Sequence, residues 1–340
     1  MSQIFKNYSL KPHNTFNIDV RAKYFAECNS GEELKNIIDH KKFKREANFI
    51  IGAGSNILFT EDYNGIVVYP NIKGVNILQE DESDIIIKAS CGENWDDFVK
   101  YCVKNNYGGI ENLSWIPGNV GAVPIQNIGA YGVEARERIL ELEALEIDSG
   151  KIRNFSNKEC HFGYRESIFK NKYKGKYIIL SVSFRLSKKP ELVTDYGSIR
   201  QELEKYSQKD IKAIREIVIN IRKNKLPDPD KIGNAGSFFK NPVVSREKFL
   251  GIQDKYPDMP YYQLSDNSIK IPAGWMIDKC GWKGKRIGDA GVYSKQALIL
   301  VNYGNAKGQE IYKLSQEIEN DVEQEFDISL EREVRVIGNG

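Results

Sequence analysis

The sequence predicts an α+β protein of two domains, on the strength of three observations. The chain has 340 residues, which is more than a single domain usually contains. Short apolar runs separated by glycine turns fill its first half and indicate β-strands. Helical periodicity is confined to a few separate segments, which is typical of an α+β fold rather than of a regular alternation of strand and helix.

The first half of the chain contains the clearest strand signals. The run NFIIGAGSNILF, residues 48–59, consists of two apolar segments around a tight glycine turn, and a β-hairpin is one interpretation of it. Further strands are predicted for GIVVYP, DIIIKAS, LEALEI and YIILSVSFRL. Between them, a helix is predicted over residues 94–106. Its apolar face consists of Trp95, Phe98, Val99 and Cys102.

A second helix is predicted at the domain boundary. The segment DIKAIREIVINIRKNK has Asp210 at its start as a candidate cap, and it ends before LPDPD because two prolines cannot continue a helix. Its apolar stripe consists of Ile211, Ile214, Val218 and Ile221. We therefore place the boundary on this helix, near residue 218. Beyond it we expect a strand at QALILVN, a helix from about Gln309 to Phe326 and a last strand at REVRVIG.

The composition excludes several functional classes. The net charge of +2 demands neither nucleic acid nor an acidic membrane as a partner. The five cysteines are odd in number and no two have C-x-x-C spacing, which argues against a disulfide framework and a structural zinc site. The N-terminus lacks the apolar core of a signal peptide, and the apolar runs are too short to span a bilayer. We expect a soluble, cytoplasmic protein without a metal.

Two glycine loops suggest a cofactor that carries phosphate groups. The first, GAGSN at residues 52–56, fails the dinucleotide-binding fingerprint because Ile57 stands where a third glycine belongs. The second, IPGNVGAVPIQNIGAYG at residues 116–132, is rich in glycine and has no charged side chain. Such backbone exposes N–H groups that form concave anion sites, while Gln126 and Asn127 could hydrogen-bond the edge of a ring. Together the loops favour a pyrophosphate cofactor bound without a Rossmann helix.

Seven motifs occur in the order known from one protein family. They are GAGSN, IPGNVGAVPIQNIGAYG, CHFGYRESIF, KLPDP, GNAGSFFKNP, AGWMID and LEREVR. In these motifs the chain resembles the UDP-N-acetylenolpyruvoylglucosamine reductases, from Asn14 to about Arg335. The resemblance implies an FAD-binding domain of the vanillyl-alcohol-oxidase type over residues 1–218, with subdomains of about 1–70 and 71–218. A smaller α+β substrate-binding domain would follow over residues 219–340.

The resemblance also implies a reaction in two halves. NADPH reduces a non-covalently bound FAD, and hydride then passes from flavin N5 to C3 of UDP-N-acetylglucosamine enolpyruvate. Ser237, in GNAGSFFKNP, matches the family's proton donor and would protonate C2 to give UDP-N-acetylmuramate. Arg165, in GYRES, would bind the substrate carboxylate and stabilise the growing negative charge. Glu333, in LEREVR, would orient or stabilise the enol form.

Further residues are assigned by matching motif positions in the family. For FAD they are Gly52, Ala53, Gly54, Ser55, Asn56, Gly118, Gly121, Ile125, Gln126, Asn127, Gly129 and Ile179. For the nucleotide-sugar substrate they are Tyr131, Tyr196, Arg222, Lys225, Asn241, Tyr262 and Gln296. Tyr196 resembles the tyrosine of a loop that closes over the substrate in one subtype, and Lys225 could reach a diphosphate. One departure is Arg332, which stands where the family usually has proline.

Three alternatives stay open on the sequence. An oxidase on the same FAD scaffold would use oxygen and would need none of Ser237, Arg165 and Glu333. A nucleotide-sugar-binding or regulatory protein could have kept the fold and lost the chemistry, although the presence of all three side chains argues against it. A Rossmann dehydrogenase lacks its fingerprint and its helix. The resemblance favours a monomer whose partners are the enolpyruvyl sugar nucleotide and NADPH.

Overall fold

The computed structural model describes residues 3–338, and these form two compact units. The first unit comprises the chain up to Tyr8 together with Ala22–Ala53 and Asn64–Asn224. The second unit comprises Ser9–Arg21, Gly54–Tyr63 and the chain from Lys225 onward. Each unit combines α-helices with β-sheet, so the expected α+β class is confirmed.

The strands are short, and most of them belong to antiparallel sheets. They are β1 Ile4–Ser9, β2 Arg21–Cys28, β3 Ala47–Ile50, β4 Ile57–Phe59, β5 Tyr63–Pro70, β6 Val75–Glu80, β7 Asp84–Ser90, β8 Gly129–Ala130, β9 Val133–Glu134, β10 Ile139–Glu146, β11 Ile152–Ser156, β12 Tyr177–Ser187, β13 Gly233–Ser237, β14 Val243–Ser245, β15 Tyr262–Ser265, β16 Ser268–Lys270, β17 Arg286–Ile287, β18 Ala290–Val292, β19 Ile299–Asn302 and β20 Arg335–Ile337. The α-helices are α1 Gly31–Ile38, α2 Lys41–Arg45, α3 Trp95–Lys104, α4 Ile199–Leu203, α5 Ile211–Lys225, α6 Arg246–Lys255, α7 Ala273–Lys279 and α8 Gly308–Phe326.

A five-stranded antiparallel sheet lies at the centre of the first unit. Its strand order is β11-β10-β12-β7-β6, and β12 pairs with both β10 and β7. Helix α3 packs its apolar face into the adjoining core, where the rings of Trp95, Phe98 and Phe184 lie 5.1–5.9 Å apart. All four residues predicted for this face are buried. The side chain of Asn94 caps the helix by accepting the N–H of Asp97.

Helix α5 also begins as the sequence predicts. The carboxylate of Asp210 accepts the N–H groups of Lys212 and Ala213, each at 2.9 Å. Ile211, Ile214 and Val218 are buried on the predicted stripe. The first unit also contains a four-stranded sheet in the order β1-β2-β5-β3, in which β3 and β5 are parallel.

The second unit is built on a four-stranded antiparallel sheet in the order β13-β19-β18-β17. Helix α8 packs against β18, β19 and β4, and it confirms the helix expected from about Gln309 to Phe326. Strand β4 pairs in parallel with β20, at the far end of the chain. The hairpin interpretation of residues 48–59 is therefore wrong, because β3 pairs with β5 while β4 pairs with β20.

The extents of the units differ from a simple division at residue 218. Helix α5 continues without a break to Lys225, so residues 219–224 stay in the first unit. Residues 9–21 and 54–63 belong to the second unit, since β4 is held there by β20. In the chain from residue 3 to residue 338, no helix combines the length and the apolar character needed to cross a bilayer.

Candidate active site

The two glycine loops approach each other in the first unit. A β-carbon placed on Gly52 would lie 3.9 Å from the Cβ of Ala122, which belongs to the second loop. Gly118 has a φ of 141°, a backbone conformation that favours glycine. Neither loop contains a charged side chain, so an anionic group held by these loops would be bound through N–H dipoles.

The second loop is fixed by its own polar groups. The side chain of Asn127 is buried and donates to Glu134 Oε2 at 2.8 Å and to the carbonyl of Gly163 at 3.0 Å. Its Oδ1 accepts the N–H of Arg136. This side chain therefore holds the loop, and any cofactor contact at this residue would involve its backbone.

Three other predicted cofactor residues have structural roles in the first unit. A β-carbon on Gly121 would lie 2.6 Å from the Cβ of Cys91, so glycine is required there by packing. Ile179 is buried in β12, opposite Ala144 of β10. Ile125 lies at the edge of the same core, and its carbonyl accepts the hydroxyl of Ser167 at 2.6 Å.

Arg165 is attached to the second glycine loop. Its Nη2 donates to the carbonyl of Gly129 at 3.1 Å, and its own carbonyl accepts the ammonium of Lys170 at 3.0 Å. The backbone of Arg165 has a φ of 54°, an uncommon conformation for a residue with a Cβ. The guanidinium of Arg165 therefore contacts the second glycine loop. The backbone carbonyl of Arg165 is held by Lys170.

Tyr131, Tyr196 and Arg222 come together in the first unit. The rings of the two tyrosines are nearly perpendicular, with centroids 5.9 Å apart. Arg222 Nε donates to the carbonyl of Trp115 at 3.1 Å, and its guanidinium also interacts with the Tyr131 hydroxyl. Burial lowers the pKa of Arg222 and raises the pKa of Tyr131, and each group opposes the shift of the other.

The sequence reasoning missed the residues that support Arg222. Trp115, whose carbonyl receives the Arg222 hydrogen bond, has a φ of 58°. The N–H of Trp115 donates to Asp96 Oδ1 at 2.5 Å. Arg215, on the same helix as Arg222, makes a bidentate pair with Asp96 at 2.7 and 2.9 Å. Arg215 and Arg222 are seven residues apart on the predicted helix, which places both on the same helix face. This spacing was the signal in the sequence that could have indicated their shared role.

Ser237 and Glu333 are brought together in the second unit. Ser237 ends β13 and follows Gly236, where an added Cβ would meet nothing within 4 Å. The next residue, Phe238, accepts the N–H of Glu333 on its carbonyl at 2.8 Å. Asn56, from the first glycine loop, donates through Nδ2 to the carbonyl of Glu333 at 3.1 Å. Backbone hydrogen bonds therefore fix the segment of the serine against that of the glutamate.

Two aromatic residues follow Ser237 directly in the chain. Phe238 and Phe239 are fully buried, with ring centroids 5.2 Å apart. Phe16 completes the cluster, 6.3 Å from Phe238. The rings therefore form an apolar cluster, and in apolar surroundings hydrogen bonds and charges interact more strongly.

Arg332 replaces the expected proline with a side chain that is bonded to helix α8. Its guanidinium forms an ion pair with Glu319, its Nε donates to Ser315 Oγ at 3.2 Å, and it lies 4.7 Å from the ring of Tyr312. Its backbone bridges to Phe239. Glu333 is held by its backbone bond to Phe238 with arginine at position 332. The arginine side chain also attaches this segment to α8.

The remaining predicted substrate residues all belong to the second unit. Asn241 accepts the N–H of Ala273 at 2.9 Å, and Gln296 Oε1 would lie 2.8 Å from a Cβ on Gly274, so both approach the start of α7. Tyr262 is exposed on β15, with the ammonium of Lys270 5.2 Å from its ring centroid. Lys225 is exposed at the end of α5.

Comparison with known proteins assigns both parts of the chain. Residues 22–156 match the model of an FAD binding domain. Residues 228–337 match the model of the UDP-N-acetylenolpyruvoylglucosamine reductase C-terminal domain. Among the described residues, no group of three or more His, Cys, Asp or Glu side chains could hold a metal ion.

Full-length relatives agree with these matches. Enzymes named UDP-N-acetylenolpyruvoylglucosamine reductase from Flavobacterium johnsoniae and Bacteroides fragilis are each 48% identical, over 98% of this chain and at least 99% of their own length. The enzyme of that name from Chromobacterium violaceum is 42% identical. A crystal structure of the Thermus caldophilus reductase shares the fold, with a TM-score of 0.69 at 21% identity over 99% of each chain.

The fold and the uncharged glycine loops define a flavin-dependent oxidoreductase that uses FAD. The glycine loops fit that cofactor in their chemistry, because Gly52 and Gly118 have no side chain that would keep the diphosphate from backbone N–H groups. With 42–48% identity over nearly its whole length, the chain belongs to the UDP-N-acetylenolpyruvoylglucosamine reductase family.

Proposed function

We propose that this protein reduces UDP-N-acetylglucosamine enolpyruvate to UDP-N-acetylmuramate with NADPH as the hydride donor. The observation that carries the proposal is the fixed pairing of the Ser237 segment with the Glu333 segment, through the bond between Glu333 N–H and the carbonyl of Phe238. An oxidase that uses oxygen would need neither side chain. Bound FAD supplies hydride transfer, by accepting hydride from the nicotinamide and delivering it to C3 of the enolpyruvyl group.

Ser237 is the proposed proton donor to C2 of the substrate. Hydride addition beside a carboxylate leaves a strongly basic carbanion or enolate, so a weak acid such as a hydroxyl can protonate it. Gly236, with a φ of 72°, leaves open space before the serine. The buried rings of Phe238 and Phe239 follow it and limit access of water, so the positioned hydroxyl is the favoured donor.

Arg165 and Glu333 are proposed to stabilise the charge that develops during the reaction. The guanidinium of Arg165 has the fork geometry that suits the substrate carboxylate, and its bond to the carbonyl of Gly129 orients it. Glu333 has its N–H and its carbonyl fixed by Phe238 and Asn56. Its carboxylate would then orient the enol form without reorganisation of the backbone.

The nucleotide-sugar end of the substrate is assigned to seven polar residues. The exposed ammonium of Lys225 would bind the diphosphate. The other residues assigned to this role are Tyr131, Tyr196, Arg222, Asn241, Tyr262 and Gln296. We further propose that the enzyme acts as a monomer in the cytoplasm, where its five free thiols would stay reduced.

Anaerobic stopped-flow absorbance at about 450 nm, the visible band of oxidised FAD, tests the proposal. NADPH is mixed with the holoenzyme first, and the enolpyruvyl sugar nucleotide second. We expect bleaching with NADPH and recovery of the band only with the enolpyruvyl substrate. Recovery only on admission of air would identify an oxidase. A protein that does not bind added FAD would be a binding protein rather than an enzyme. The same experiment with NADH measures the preference between the two nicotinamides.

A further inference from the structure

Two of the proposed substrate tyrosines meet at a tyrosine junction in the first unit, formed by Asn112, Tyr131, Gly132, Val193 and Tyr196. Tyr131 ends the second glycine loop, whereas Tyr196 lies in the segment between β12 and α4. Their rings make an edge-to-face contact with centroids 5.9 Å apart. The two rings belong to separate segments of the chain, so their spacing depends on contacts that hold these segments together.

The side chain of Asn112 provides that connection. Asn112 belongs to a turn of 3₁₀-helix over Glu111–Leu113 and is 1% exposed. Its Nδ2 donates to the carbonyl of Tyr131 at 2.9 Å and to the carbonyl of Val193 at 3.0 Å. One amide group therefore uses both of its protons to hold the two tyrosine-bearing segments.

The backbone at the junction depends on this connection. Tyr131 has a φ of 50°, which is strained for an aromatic residue and persists only when its surroundings enforce it. Gly132 follows with a φ of 84°. A Cβ on Gly132 would lie 3.2 Å from Val193 Cγ1 and 3.7 Å from the Cβ of Tyr196. Glycine thus allows the second segment to pack closely against the first.

The other end of the Asn112 amide takes no part in this connection. Within residues 3–338, Asn112 Oδ1 is buried without a hydrogen-bond partner. An acceptor of this kind adds no bond to either segment, so the contribution of the side chain lies in its two donated bonds. Asparagine suits this position because its amide carries two N–H donors, one for each segment.

We propose that Asn112 is a positioning residue that holds the segments of Tyr131 and Tyr196 together in the conformation that binds the substrate, and so determines substrate affinity. The inference rests on the proposed function, in which both tyrosines contact the nucleotide sugar. Asn112 acts through the backbone of the two segments and does not itself contact the substrate. Its loss should therefore weaken binding while leaving the reduction of the flavin by NADPH unchanged.

Asn112→Ala tests the inference in the FAD-loaded enzyme. Calorimetry with UDP-N-acetylglucosamine enolpyruvate should give a Kd raised roughly five- to thirtyfold, as expected for the loss of two hydrogen bonds. The KM should rise in parallel, while kcat at saturation and the rate of bleaching by NADPH stay within about twofold. Hydrogen exchange should become faster in residues 191–197. Gly132→Ala, which disturbs the junction from the other side, should show the same pattern.

Asn157→Ala is the matched control, because Asn157 Nδ2 also donates to two backbone carbonyls, those of Arg136 and Ile139. A general loss of packing would raise the Kd in both variants alike, and that result would overturn the inference. An unchanged Kd in Asn112→Ala would also overturn it. If Asn112→Ala does not fold, the same measurements are made on Asn112→Ser and Gly132→Ala. A wild-type enzyme that neither binds nor reduces the substrate would instead refute the proposed function, and this inference with it.

Discussion

At the scale of single residues, several residues at or next to the proposed site have unusual backbone conformations. Trp115, Asn127, Tyr131 and Arg165 all have positive φ values although none is glycine. Each such residue costs on the order of 1–3 kcal/mol and needs fixed surroundings. These surroundings exist here as side-chain bonds to Asp96, Glu134, Asn112 and Lys170. Strain and support thus occur together at Asn127, Tyr131 and Arg165, which are assigned to binding and catalysis, and at Trp115, which supports Arg222.

Ser237→Ala separates the two half-reactions. Without the hydroxyl, the carbanion or enolate lacks its proton donor, so reoxidation of the flavin by the enolpyruvyl substrate should slow by about 10²–10⁴-fold. The bleaching by NADPH should keep its wild-type rate. Both rates are measured by the stopped-flow experiment described above. Equal losses in the two half-reactions would contradict the role assigned to Ser237. Ser329→Ala, which removes an exposed serine of the same unit, should leave both rates unchanged.

The buried thiols make the protein sensitive to alkaline pH. Burial raises the pKa of Cys28 and of Cys160 to about 12, from an ordinary value of 9.0. Above pH 9 the unfolded chain loses these protons while the folded chain keeps them, so stability present below pH 9 is lost as the pH rises towards 12. Each thiol should lower the free energy of unfolding by about 1.4 kcal/mol per pH unit in this range.

Urea unfolding of the wild type and of Cys28→Ala at pH 8 and pH 10 measures this effect. The variant lacks one titrating thiol, so its loss of stability between the two pH values should be smaller by about 1 kcal/mol. The loss of stability between pH 8 and pH 10 in the variant is subtracted from the same loss in the wild type. This subtraction removes the contribution of tyrosines, and the free-energy cost of the smaller side chain at residue 28. Equal losses in both proteins would show that Cys28 titrates normally in the folded state.

At the scale of elements, helices α3 and α5 are connected by one ion pair. Asp96 of α3 and Arg215 of α5 form a bidentate pair, with side chains only 25% and 12% exposed. The same carboxylate accepts the N–H of Trp115, whose carbonyl bonds Arg222. The pair therefore joins the packing of two helices to the position of a proposed substrate-binding arginine.

Asp96→Asn should lower the free energy of unfolding by about 1–3 kcal/mol, because Arg215 is left partly buried without its counter-charge. Equilibrium urea unfolding provides the measurement. Glu202→Gln is the control, since the Glu202–Lys205 pair is largely exposed, and its loss should change stability by less than about 1 kcal/mol. A similar small effect for both variants would mean that the Asp96–Arg215 pair is as weak as a surface pair.

At the scale of the whole molecule, the second unit is assembled from distant parts of the sequence. Residues 9–21 and 54–63 join the chain from Lys225 onward, and the parallel pairing of β4 with β20 connects the two ends. The first glycine loop spans the change from one unit to the other, since Ala53 ends a segment of the first unit and Gly54 begins one of the second. Contacts of FAD with this loop should therefore influence the stability of the folded protein.

Removal of FAD should lower the thermal midpoint, and added FAD should restore it. At a free concentration one hundred times its Kd, a ligand that binds only the folded state stabilises it by about 2.7 kcal/mol. Differential scanning calorimetry of the apoprotein with FAD, and with FMN as control, measures the effect. FMN lacks the diphosphate bridge and the adenosine, so it should stabilise less. Equal stabilisation by both would contradict the assignment of the glycine loops to the diphosphate.

The sequence by itself determined the features that depend on local patterns. Periodicity predicted the apolar faces of α3 and α5, the candidate cap Asp210 predicted the start of α5, and the ordered motifs predicted the family. It also located Ser237 and Glu333, whose segments the structure pairs.

Only the tertiary structure decided the features that depend on contacts between distant residues. The pairing of β4 with β20 made a hairpin impossible and divided the chain into discontinuous units. Contacts between distant residues also give the side chain of Asn127 a structural role and attach Arg332 to α8. They bring Asn112 to the two segments that carry Tyr131 and Tyr196. The secondary-structure propensity of a local segment does not predict such contacts, because their stability comes from burial and hydrogen bonding between groups far apart in the sequence.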